Sequence, residues 1–66
     1  MKIVVNGEEK VIPGSMALSE LLSFLGLPDE RLAVEVNRDV VPRARWQETN
    51  VSEKDRIEII HFVGGG

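Results

Sequence analysis

The sequence contains no cysteine and no tyrosine, and only one histidine and one tryptophan. Without cysteine there is no disulfide scaffold, no side-chain thiolate or persulfide nucleophile and no cysteine-ligated zinc. With His61 alone, a histidine-rich metal site or a Ser–His relay has nothing to be built from. No apolar run approaches the roughly 18–20 residues of a membrane span, so no membrane partner is expected. Eight Lys and Arg against eleven Asp and Glu give a net charge of −3, which lacks the basic footprint of a general nucleic-acid binder. The opening Met1-Lys2-Ile3-Val4-Val5-Asn6-Gly7 has no apolar h-region or small-residue cleavage site, so a cytoplasmic location is expected. The 66 residues leave room for one domain with a thin core. Such a chain is expected to act by being bound, not as an enzyme.

What is present is strongly patterned. Residues 2–6 are largely β-branched and read as a strand, and Asn6-Gly7 is a hairpin signal because both residues adopt φ > 0 cheaply. Lys10-Val11-Ile12 reads as the short return strand, ended by Pro13-Gly14. From Met16 to Leu25 the period changes. Leu18, Leu21, Leu22 and Leu25 fall at i, i+3, i+4 and i+7, which puts them on one helical stripe. Ser15 is the expected N-cap, with no Glu or Gln at the matching N3 position. Gly26 suits the left-handed position after a helix, and Pro28 cannot continue it.

Beyond the helix, Leu32, Val34 and Val36 alternate with Ala33, Glu35 and Asn37, as in a half-buried strand. Asn37-Arg38-Asp39 turns into Val40-Val41, which Pro42 closes. Arg43 to Gln47 suits one helical turn seating Trp46, which is expected to cap one end of the core. Glu53-Lys54-Asp55 is a polar turn and Arg56 to Phe62 the last strand. The order β-β-α-β-β-β predicts an α+β two-layer fold, the helix covering Ile3, Val5, Leu32, Val34, Val36, Ile57 and Ile59. A right-handed crossover through the helix brings a later strand parallel to the first. Glu8, Glu9, Asp29, Glu30, Glu53 and Asp55 fall in expected turns and read as solvated surface.

Function is sought at the C-terminal end. Val63-Gly64-Gly65-Gly66 has no packing value, but without Cβ atoms the glycines can thread a narrow channel. Extended, it reaches about 13 Å and would present an unhindered carboxylate suited to activation as a mixed anhydride with phosphate. Glycine content alone fits a frayed tail or a linker better. In the last strand, Arg56 and Glu58 mark the solvent face, which leaves Ile60 and Phe62 exposed on it just before the glycines. An exposed apolar pair there suits a docking patch. A twist or bulge burying both residues is the competing arrangement. His61, with no acid at a catalytic spacing, reads as a strand or rim residue.

The whole chain resembles the ThiS family, the sulfur carriers of thiamine biosynthesis within the ubiquitin-like β-grasp group. The resemblance rests on Ile3-Val4-Val5-Asn6-Gly7-Glu8, Leu18-Ser19-Glu20-Leu21-Leu22 and Ala33-Val34-Glu35-Val36-Asn37. It continues through Val41-Pro42-Arg43 with Trp46 and closes on Asp55 to Gly66, ending His61-Phe62-Val63-Gly64-Gly65-Gly66. One departure is Ala17, near which similar proteins often place a threonine. The resemblance implies a β-grasp domain over residues 1–62, with four to five strands on one main helix, and a flexible reactive tail over 63–66. It implies that the Gly66 carboxylate is adenylated by a ubiquitin-activating-like adenylyltransferase (ThiF type) using ATP and magnesium. Sulfur from a donor such as a cysteine desulfurase then gives a thiocarboxylate, which thiazole synthase (ThiG type) consumes. Gly64 and Gly65 would thread into the partner, and Ile60, Phe62 and Val63 would dock. The carrier itself would be a monomer that binds neither cofactor nor metal. The small sulfur-carrier subunit of molybdopterin synthase and a ubiquitin-like protein-conjugation module share the glycine end and remain the alternatives.

Overall fold

A computed structural model describes residues 1–27 and 30–62 of the chain. Five strands, one α-helix and one 3-10 turn follow in order: β1 (Lys2–Val5), β2 (Glu8–Val11), α1 (Leu18–Phe24), β3 (Leu32–Val36), β4 (Asp39–Val40), the turn Arg43–Arg45, and β5 (Arg56–His61). They form one sheet in the order β2-β1-β5-β3-β4. β1 and β5 are parallel, pairing Val4 with Arg56 and Val5 with Ile57, and the other neighbours are antiparallel. The last strand thus lies in the middle of the sheet, parallel to the first as expected. A mixed sheet grasping a single helix in this order is the β-grasp fold.

One face of the sheet packs on α1. Leu18, Leu21 and Leu22 are fully buried against Ile3, Val5, Leu32, Val34 and Ile57. Leu25, Val36 and Ile59 are half-buried at the margin of this core. Ile12 and Val51 are as deeply buried but lie outside the regular strands: the return strand expected at Lys10-Val11-Ile12 is Glu8–Val11, so Ile12 falls just past its end, and no two-residue alternation marks Val51. The asparagine of the first turn has φ +49 and Gly7 has φ +83, the left-handed pair that a two-residue hairpin requires. Among the described residues no helix is long and apolar enough to cross a membrane.

The two ends of α1 compare differently with the sequence pattern. At the C-terminus Gly26 has φ +74, its N–H donates to Ser23 O at 3.0 Å, and Leu27 N–H donates to Leu22 O at 2.9 Å. That pair of bonds is a Schellman motif, as the glycine foretold. The N-cap, however, is Ala17 and not Ser15, and the helix starts at Leu18 and not Met16. Ser15 is drawn away because its hydroxyl donates to Val51 O at 2.8 Å. Counted from Ala17, Glu20 is N3, and its carboxylate accepts the Ala17 N–H at 2.9 Å. Half of a capping box is therefore present, although none was expected from Ser15.

Two acidic residues are not where the pattern put them, and two that do fall in the expected turn also hold backbone groups. Glu8 and Glu9 belong to β2 itself. Glu53 accepts the Lys2 N–H, at 3.2 and 3.3 Å to its two oxygens. Asp55 accepts from Ser52 N–H at 2.7 Å and from the Asn37 amide at 3.0 Å, so it organises the turn before β5. Pro28 and Asp29 lie outside the described residues.

Candidate functional site: the outer face of the last strand

β5 presents its two faces by simple alternation. Ile57 is buried and Ile59 half-buried toward the helix, whereas Arg56, Glu58 and Ile60 point away from it and are exposed. Ile60 is 50% and Phe62 51% exposed. The two residues expected to form an apolar patch outside the core do so, and no bulge buries them. His61 is exposed opposite Leu32, at the rim of the sheet.

The register shows what surrounds the patch. Val40, Glu35 and Glu58 form one row across β4, β3 and β5, and Ala33 and Ile60 form the next. Phe62 then continues the column, its N–H donating to the Arg31 carbonyl at 2.8 Å. Val40 is 68% exposed, so it adds apolar surface at the far end of the Glu row. The sequence pattern did not single it out. A two-residue strand shows too little alternation to assign a face. Glu35 and Glu58 are direct cross-strand neighbours of like charge, an arrangement that costs stability. The face is thus apolar along Ile60 and Phe62 and acidic beside them.

Val63, Gly64, Gly65 and Gly66, expected to dock, thread and react, lie outside the described residues. They follow the patch directly in sequence: Phe62 is four positions before Gly66. Elsewhere, a hollow of about 220 Å³ between the first hairpin and the end of α1 is lined by Val5, Asn6, Glu8, Lys10, Leu25 and Leu27. It brings no nucleophile and base together. Among the described residues no group of three His, Asp or Glu is placed to hold a metal ion.

Comparison with known proteins places the chain in a family. The ThiS family model matches residues 3–66. A thiazole synthase of Paramagnetospirillum magneticum is 41% identical over the whole chain, which spans only 20% of that protein's length. The sulfur carrier protein ThiS of Bacillus subtilis is 37% identical over 49 residues, covering 74% of each chain. The crystal structure of a thiamine biosynthesis protein (ThiS) from Geobacter metallireducens superposes with a TM-score of 0.88 at 36% identity, covering both chains completely. The chain belongs to the ThiS family.

Proposed function

We propose that the chain is a sulfur carrier for the thiazole moiety of thiamine, and is a substrate and not an enzyme. The observation that carries this reading is the exposed Ile60–Phe62 pair on the outer face of β5, immediately before Gly64-Gly65-Gly66. The apolar pair holds the carrier on a partner, while the side-chain-free glycines pass into a channel too narrow for a Cβ.

In the first step a Gly66 carboxylate oxygen bonds to the α-phosphorus of ATP as the α–β anhydride bond breaks and pyrophosphate leaves. A ThiF-type adenylyltransferase supplies the nucleotide and magnesium sites. In the second step a sulfur nucleophile, originating from cysteine through a desulfurase, bonds to the acyl carbon. The C–O bond to AMP breaks and AMP leaves. Because desulfurase sulfur arrives as a persulfide, the acyl disulfide so formed is then cleaved by a thiol reductant, which is oxidised to a disulfide as Gly66 ends as a thiocarboxylate. A ThiG-type thiazole synthase is the acceptor. The similarity of this chain to one-fifth of a thiazole synthase supports that pairing. The free carrier acts as a monomer in the cytoplasm and holds no cofactor of its own.

The test is ATP–pyrophosphate exchange by the adenylyltransferase in the presence of the full chain. Exchange is expected with the intact chain and lost when Gly65 and Gly66 are deleted. Equal exchange by the truncated chain would refute the reading.

A further inference from the structure

Asn6 serves the first turn with its backbone and β5 with its side chain. Its own N–H donates to Ile57 O at 2.9 Å. Its Oδ1 accepts the Ile59 N–H at 2.7 Å, and its Nδ2 donates to Ile59 O at 3.2 Å. Both main-chain groups of Ile59 are thus held by one amide, 53 positions earlier in sequence. They are the groups that a further β1 residue would have paired, because β1 matches β5 only at Arg56 and Ile57 before turning away. The amide extends the sheet by one residue on that side. β5 then runs on to His61 with its register held by β3.

The turn alone does not call for this amide. A hairpin position at φ +49 is satisfied by glycine, and the side chain is exposed, so little burial depends on it. The side chain's specific contribution is to β5, three residues before Phe62 and five before Gly64. We propose that Asn6 is a positioning residue. Its amide fixes the course on which β5 leaves the sheet, and so aims the glycine segment at the partner's reacting groups. This rests on the carrier reading above. Docking belongs to the outer face, whose Ile60 is registered by β3, so aim and affinity are separable.

The experiment compares wild type, Asn6→Gly and Asn6→Asp in ATP–pyrophosphate exchange with the adenylyltransferase, alongside amide hydrogen exchange of the free proteins. Asn6→Gly keeps the left-handed turn and removes both side-chain bonds. It is expected to lower kcat about ten-fold while the KM for the carrier stays within about two-fold, since misaimed reactants lose rate more than binding. Asn6→Asp retains an acceptor for the Ile59 N–H and is expected to fall between the two. Ile59 amide exchange should accelerate in Asn6→Gly, while that of Leu21 in α1 stays unchanged. Unchanged kcat in Asn6→Gly, beside an active wild type, would overturn the positioning role and leave the carrier reading standing. Faster exchange at Leu21 would overturn it too, by tracing the loss to the fold. An inactive wild type would overturn the carrier reading, and the positioning role with it.

Discussion

The indole N–H of Trp46 donates to the carbonyl of Val41 at 2.9 Å, closing the loop over Pro42 and the 3-10 turn. Arg43 lies over the indole ring at 5.8 Å from its centroid. Trp46 is only 4% exposed. The Val41-Pro42-Arg43-x-x-Trp46 segment therefore seats the indole in the core and ties its polar atom locally. Trp46→Phe leaves the Val41 carbonyl without its donor and should cost about 1–2 kcal/mol. Trp46→Ala adds a cavity and should cost about 3–5 kcal/mol. Urea unfolding distinguishes the two.

The half-built cap of α1 makes the opposite prediction. Ala17 sits at the N-cap with extended backbone (φ −71, ψ 155) and receives no side-chain cap bond. Ala17→Ser supplies a hydroxyl that can accept the Glu20 N–H and complete the box. Stability should rise by about 1 kcal/mol, read as a higher urea midpoint at unchanged slope.

Asn37 repeats on the other hairpin what Asn6 does on the first. It has φ +51, and its Oδ1 accepts the Arg56 N–H at 3.0 Å. Asn37→Gly keeps the turn and loses the side-chain bonds, with an expected cost of about 1 kcal/mol. Asn37→Ala should cost about 1–2 kcal/mol more, because an L side chain is strained at that φ. Equal losses in the two variants would mean that the turn angle contributes nothing.

Across the outer face, Glu58→Lys replaces a like-charge pair with an opposite one against Glu35. Thermal unfolding at low salt should show a gain of roughly 0.2–1 kcal/mol, shrinking as salt is added.

Ile60→Thr with Phe62→Ser tests the proposed docking role of the exposed pair. Both side chains are half exposed, so losing their buried halves should cost about 1–3 kcal/mol in all, which leaves the fold intact by urea unfolding. The KM for the carrier in the adenylyltransferase reaction should rise about thirty-fold or more, the loss expected of a central apolar anchor. An unchanged KM would remove these residues from the interface.

Much of this was legible along the chain, for local reasons. Leu18, Leu21 and Leu22 announce the helix by spacing, and Gly26 announces its end because only the left-handed region fits there. Arg56 and Glu58 identify the solvent face of β5, and Ile60 and Phe62 follow by alternation. What stayed hidden depends on contacts distant in sequence. Ser15 carries the usual capping oxygen but spends it on Val51, 36 positions away, and the cap falls to a residue with no oxygen at all. Asn6 is recognisable as a turn residue, whereas its bonds to Ile59 exist only because β5 lies beside β1. Val51 joins the core from an irregular segment, which carries no period to read.

The central claim concerns one group, the carboxylate of Gly66. The most direct measurement is the intact mass of the chain after incubation with the adenylyltransferase, ATP and a cysteine-desulfurase sulfur source. A gain equal to replacing one oxygen by one sulfur is expected, confined to a C-terminal fragment containing Gly66 and absent when ATP is withheld. An unchanged mass, or isopeptide adducts to lysines of other proteins in its place, would contradict it.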